Sequence, residues 1–324
     1  MSFRNYYEVL FLLVTFFLLF IGFLGPSFWK IAQLQINIKF FEKINRNVNV
    51  SIDGSNQFDI NKNYLSSDQL ENKNIVLEWS QLILNNIKND IPIARMYFPY
   101  IPRNINQYET HKKKSIFIAI LLPIALKGNE LVLEERKLMK IAFSSNNIYQ
   151  IELYSKKYRV KNFKKMKFSK LNRLELNNIK LELLTKINEI PISMILAQAI
   201  IESGWGSSRF AQQGNALFGE WTWKNNDGIK PQKNLDANHS VKNFESLSDS
   251  VNSYILNLNT HPAYKELRKY REKQFKIGKP VTGYNMANFL EKYAEIGFQY
   301  VIKVKDMIEK NRLNKFENSK LESF

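Results

Sequence analysis

The sequence predicts a mainly α-helical protein with a minor β element, preceded by a helical amino-terminal region and one transmembrane helix. Three observations carry this expectation. Apolar residues recur at helical intervals through most of the chain after residue 70. Extended β-branched alternation is scarce outside residues 228–244. A charge-free run, VLFLLVTFFLLFIGFLGPSF from Val9 to Phe28, has the length that crosses a bilayer core.

Trp29 and Lys30 follow that run, an aromatic and a cation suited to the membrane interface. Gly25-Pro26-Ser27-Phe28 signposts a cleavage site poorly, so residues 1–30 are expected to remain as an anchor in the cytoplasmic membrane through residues 9–29. Signals for orientation conflict. Lys30, Lys39 and Lys43 beyond the run outweigh Arg4 before it, which favours a cytoplasmic body, whereas the chemistry argued below favours the extracytoplasmic side. Residues 31–70, rich in Asn, Lys and Ser, read as a tether.

A helical region is expected over 71–160. Ile75, Leu77, Trp79, Leu82, Ile83 and Ile87 space a helix over 74–90, and Asp90-Ile-Pro92 stops it. RMYFPYIPRNI then reads as an extended surface strap, followed by helices at 111–127 and 129–142. The apolar stretch from Ser115 to Gly128 contains Pro123 and is too short to span a bilayer, so it is expected in a buried core. The basic segment from Lys156 to Lys170 reads as a linker or an exposed helix.

A second unit is expected over 161–315, with a tail at 316–324. Leu171–Asn188 is amphipathic, and Pro191 opens a helix over Ile192–Glu202 that is apolar on nearly every side. Ser207 is placed to cap a short helix closing at Gly214. Further helices are expected over 244–258, 285–294 and 300–309, with a loop or small hairpin over 228–244.

Composition narrows the chemistry. With no cysteine, the 324-residue chain has no disulfides, thiolate ligands or cysteine nucleophile. His111, His239 and His261 are scattered without ligand spacing, and no Gly-rich phosphate loop is present, so neither metal nor cofactor is expected. The formal charge of +17 suits an acidic polymer, an anionic lipid or simply solvated faces, and no nucleic-acid motif accompanies it.

The sharpest local signal is Glu202. A carboxylate in the last turn of an apolar helix is costly to desolvate, and an apolar wall keeps it protonated. Ile195, Gln198, Ala199 and Ile201 supply its expected surroundings; Gly204 and Gly206 permit a sharp turn, and Trp205 is expected to pack beneath the acid. The plain alternative is an ion pair between Glu202 and Arg209 at a helix end. Exposed aromatics nearby, Trp221 and Trp223, suit stacking on sugar rings, with core packing as their alternative. These features together point to a general acid facing a carbohydrate cleft.

The stretch LAQAIIESGWGSSRFAQQGNALFGEWTW resembles the glucosaminidase superfamily of peptidoglycan hydrolases, glycoside hydrolase family 73, and its Bax-type members in particular. FESLSDSVNSYILNLNTHPAYKELR and LEKYAEIGFQYVIKVKDMI extend the resemblance, which runs from about Ile75 to Ile308. It implies a lysozyme-like α-helical domain that cuts glycan strands at N-acetylglucosamine, with Glu202 as general acid and Tyr293 lining the cleft. It also implies that Asn215, Phe218 and Gly219 line that cleft. The implied partner is peptidoglycan rather than nucleic acid. No second carboxylate is nominated: Glu220, Asp227 and Asp236 lie nearby, but assistance by the substrate acetamido group needs none. A lytic transglycosylase and a non-catalytic wall-binding protein remain the alternatives.

Overall fold

The computed structural model describes residues 67–223, 228–230 and 240–323. The expected anchor, most of the tether, Asp227 and Asp236 lie outside the described residues. Among the described residues the protein is mainly α, as expected, with one small antiparallel sheet.

The longest element is α3 (Thr110–Ser144), which follows α1 (Ser67–Glu71) and α2 (Lys73–Lys88). Two helices were expected here, broken at Gly128-Asn129; the structure has one. Both residues serve packing instead of a break. Asn129 donates to the Ile190 carbonyl at 2.7 Å and accepts from its N–H at 3.0 Å. A Cβ on Gly128 would lie 2.8 Å from Ile255 Cδ1, so this glycine lets a neighbouring helix approach. The apolar window of α3 is long enough to cross a membrane, yet 78% of it is buried inside the protein, which fits the expected core helix.

Around α3 pack α2, α4 (Ile148–Lys157), α6 (Ile192–Ser203) and α8 (Leu247–Thr260). The Trp79 indole donates to the Ala119 carbonyl at 3.2 Å, tying α2 to α3. The strap after α2 is extended but not superficial. Ile93, Ala94, Tyr97, Phe98, Ile101 and Ile105 are buried, because its prolines hold the chain open while these side chains reach the core. Its start pairs with the carboxy terminus, Ile93 N–H donating to Lys320 O at 2.7 Å and Glu322 N–H to Ile93 O at 2.9 Å.

The basic segment begins in the last turn of α4 and continues to the next helix through two 3-10 turns at Phe163–Lys165 and Phe168–Lys170. Then come α5 (Arg173–Lys186), α6, α7 (Arg209–Gly214), and β1 (Trp221–Thr222), β2 (Gly228–Ile229) and β3 (Ser240–Lys242) in the order β1-β3-β2. Ser208 rather than Ser207 caps α7, accepting from Ala211 N–H. After α8 follow α9 (Lys265–Lys276), α10 (Gly283–Met286) and α11 (Phe298–Lys310). The helix expected over 285–294 is confined to α10 and a 3-10 turn at Ala287–Phe289.

Helix α6 runs through the middle of this second half and is clamped at its start. Glu317 Oε2 accepts from Ile192 N–H at 2.9 Å, and Oε1 accepts from Gly283 N–H at 3.0 Å and from the Ser193 hydroxyl. A carboxylate at a helix amino terminus also complements the helix dipole. The opposite end of α6 carries the candidate site.

Candidate active site

From Ile192 to Ile200 every residue of α6 is buried, whereas Glu202 in the last turn is half-buried. The chain then leaves sharply: Gly204, Trp205 and Gly206 have φ of 58°, 60° and 76°. Left-handed backbone is cheap for the two glycines and strained for Trp205. Ser203 fixes the turn, its hydroxyl donating to Ala199 O at 2.6 Å and accepting from Gly206 N–H at 2.9 Å. A Cβ on Gly206 would lie 2.9 Å from Phe117 Cδ2, so no other residue fits without displacing α3. The Trp205 ring packs edge-on against Phe117 with centroids 6.0 Å apart. The Lys114 ammonium lies 5.0 Å from the Trp205 ring centroid.

Glu202 is held by a chain of polar side chains. Tyr300 Oη donates to Glu202 Oε1 at 2.6 Å; Gln198 Nε2 donates to Tyr300 Oη at 3.1 Å; Tyr254 Oη donates to Gln198 Oε1 at 2.6 Å. All three supporting residues are buried. Burial pushes the Glu202 carboxyl above its ordinary range, while the Tyr300 hydrogen bond and the Lys303 charge pull it partly back. Burial and the nearby carboxylate push the Tyr300 phenol far up, so it stays a donor. With Oε1 accepting the Tyr300 hydroxyl, Oε2 is the oxygen left open to carry a proton when the carboxyl is protonated. Oε2 faces Gly219, whose φ is 63° and whose added Cβ would lie 3.6 Å away.

The alternative ion pair is not formed. The Arg209 guanidinium donates to Lys230 O and lies 4.9 Å over the Phe210 ring.

Tyr293 is half-buried and stacks on Tyr300, with centroids 5.1 Å apart and planes 12° apart. Its phenol donates to Phe218 O at 3.0 Å, so that proton is committed to the backbone and only its oxygen lone pairs stay open. Phe218 is buried and stacks on Tyr254 at 4.0 Å. Asn215 adopts left-handed backbone and donates to the carbonyls of Phe244 and Glu245, each at 3.1 Å. Thus Asn215 and Phe218 shape the 215–219 loop, and Gly219 brings it against the acid. Trp221 and Trp223 are 51% and 71% exposed, so neither is packed in the core.

Next to Gly219, Glu220 Oε2 accepts from Ser253 Oγ at 2.7 Å. Burial raises its carboxyl, opposed by that bond and by the Lys242 and Arg159 charges. Sequence reasoning missed Tyr254 and Tyr300, and counted Gln198 among apolar surroundings. The signal for Gln198 was present: a lone amide one helical turn before the acid, on a helix with no other long polar side chain before Glu202.

Residues 180–313, which include Glu202, Tyr293 and Tyr300, match a family described as Glucosaminidase: Mannosyl-glycoprotein endo-beta-N-acetylglucosaminidase. Protein bax of Escherichia coli (strain K12) is 30% identical over 196 residues, which cover 58% of this chain and 66% of that protein. The match therefore spans just under two thirds of that relative's length. No solved structure gives a significant match.

Proposed function

We propose, from the match of residues 180–313 to the glucosaminidase family, that this chain hydrolyses the glycan strands of peptidoglycan at N-acetylglucosamine, with Glu202 as general acid. The observation that supports this most is the tyrosine-held, half-buried carboxyl at the carboxy-terminal end of α6. Burial that raises the proton affinity of a carboxyl favours the protonated form that a leaving glycosidic oxygen needs.

In this reading Glu202 Oε2 gives its proton to the leaving glycosidic oxygen as the C1–O bond breaks, and the bonding electron pair goes to that oxygen. The cationic sugar is relieved by water or by the substrate's acetamido oxygen. Water ends as the hydroxyl on C1 and returns a proton to Glu202. Tyr300 holds the carboxyl in one rotamer throughout and is a positioning residue. Tyr293 orders the 215–219 loop through Phe218 and offers lone pairs to the acetamido N–H or to water. Asn215, Phe218 and Gly219 form the wall facing the acid, and Trp221 and Trp223 offer exposed faces for pyranose rings. The substrate's location places the domain on the extracytoplasmic side of the cytoplasmic membrane, anchored through residues 9–29, with 71–160 as an amino-terminal region and 161–315 as the catalytic part.

Purified sacculi incubated with the protein test this directly. Fragments should carry the mass of added water and a reducing N-acetylglucosamine end, and Glu202→Gln should release them at least about a hundredfold more slowly. Anhydro-sugar ends would assign lyase chemistry instead, and an unimpaired Glu202→Gln would remove the proposed acid.

A further inference from the structure

Between α4 and α5 lies a surface that the candidate site does not use. Residues 156–173 contain nine Lys or Arg and no Asp or Glu in eighteen positions, and all nine are exposed. A solvated charge run ordinarily mixes signs or lacks fixed structure. This one is built on a framework. Val160 and Phe168 are buried, the Phe163 and Phe168 rings meet at 5.6 Å, and the buried Lys186 ammonium holds the carbonyls of Tyr158 and Arg159 at 3.0 and 2.6 Å. Among the described residues, the ion pair within this run is that of Lys157 with Glu135, and Lys161, Lys164, Lys165, Lys167, Lys170 and Arg173 form none.

The flanking helices expose apolar side chains beside these cations. Tyr149 and Leu153 lie one turn apart on α4, at 68% and 42% exposure, and Leu174 and Leu181 lie two turns apart on α5, at 69% and 53%. The two helices pack on each other, α4 leading into the basic turns and α5 leading out of them. A soluble polyanion satisfies the lysines but leaves the leucines in water. An anionic bilayer surface satisfies both, by headgroup charge and by shallow apolar insertion.

We propose that residues 156–173, with the exposed stripes of α4 and α5, dock the folded protein on an anionic phospholipid bilayer. This rests on the membrane part of the reading above only in placing a bilayer within reach. Between the apolar run and α1 there are 38 residues, which span at most roughly 135 Å when extended. Docking would fix the orientation of the glycan cleft relative to the membrane, independently of the tether.

The chain lacks cysteine, so Ser169→Cys carries a single environment-sensitive dye without removing a cation. The full-length protein is mixed with phosphatidylcholine vesicles, with or without phosphatidylglycerol, all containing bromolipids that quench only at acyl depth. Quenching should appear with phosphatidylglycerol alone and be lost in about 0.5 M salt, where screening is limited to roughly 4 Å. Each cation near an anionic surface is worth about fivefold in partitioning, so Lys164→Glu with Lys165→Glu and Lys167→Glu should weaken the quenched state on the order of a hundredfold. The same variant should cleave soluble glycan fragments at the unaltered rate.

Flotation of the vesicles reports the anchor separately. Protein that floats with both vesicle types but is quenched in neither, or equally in both, overturns the proposal. Protein that floats and is quenched only with phosphatidylglycerol supports it while removing the anchor. Flotation with neither overturns both. A shift of dye emission by soluble RNA, without bromolipid quenching, would give the surface to a soluble polyanion and overturn the bilayer assignment.

Discussion

At Glu202 three ordinary effects meet and one wins. Burial disfavours the charged carboxylate, while the Tyr300 hydroxyl and the Lys303 ammonium favour it, and the net direction is upward. A carboxyl whose folded proton affinity exceeds that of the unfolded chain contributes stability that is complete below the unfolded value. That contribution is lost as pH rises through the folded one. Glutamine at 202 never ionises. Glu202→Gln should therefore melt at a higher temperature than the parent near neutral pH, and at the same temperature in acid below the ordinary carboxylate range. Thermal melts at the two pH values check this; equal midpoints at neutral pH would mean the carboxyl is not desolvated. The acid itself was legible in sequence, because a carboxylate in an apolar helix stands out. Its keeper was not: Tyr300 lies 98 positions away, and no spacing rule links a phenol on α11 to the end of α6. Tyr293 was found through resemblance, but its proton serves the Phe218 carbonyl, a detail only coordinates supply.

At the level of elements, periodicity located most helices and failed where the buried face is not apolar. Helix α9 escaped notice because its buried side chains are Leu267, Arg268 and Arg271. Arg271 is almost completely buried and donates to the carbonyls of Thr185, Lys186, Asn188 and Glu189 at 2.8–3.2 Å. It closes the carboxy-terminal end of α5, where orphan carbonyls need donors. Desolvation and the neighbouring guanidinium groups lower its pKa to about 9. Arg271→Ala removes the donor to the Thr185 and Glu189 carbonyls, whereas Lys186 O keeps the Asn188 N–H and Asn188 O keeps the Asn259 amide; at about 1–3 kcal/mol for each unsatisfied buried group, a loss on the order of 3 kcal/mol is expected. Denaturant titration would show it; a loss below about 1 kcal/mol would mean that water replaces the guanidinium without cost. The misreading of α3 has the same origin. Gly128-Asn129 carries the composition of a helix end, and only the partners Ile190 and Ile255 show that it marks close packing.

For the molecule as a whole, one hydrophobic core runs from Leu70 to Leu321. Helix α3, assigned from sequence to an amino-terminal region, contacts α6 and α8 of the unit expected over 161–315. Length and composition cannot reveal such sharing, since each stretch looks like an independent helical unit until its partners are known. The mainly α class and the small sheet were legible because they depend on local periodicity. The inward course of the strap and the carboxy-terminal clamp on α6 were not, because both depend on contacts across more than a hundred residues. Glu317 fixes the start of α6 from the far end of the chain, while the local bonds of Ser203 and the hydroxyl of Tyr300 fix its end. The result is a half-buried carboxyl held at one orientation beside Gly219.

The most direct test of that arrangement is the pH dependence of kcat/KM on glycan fragments, measured for the parent and for Tyr300→Phe. Because the hydroxyl stabilises the carboxylate, its removal raises the Glu202 proton affinity further. The alkaline limb should therefore move to higher pH while the plateau falls, as the carboxyl loses its fixed rotamer. An alkaline limb that stays in place in an otherwise folded Tyr300→Phe, or moves to lower pH, would contradict a catalytic proton carried by Glu202.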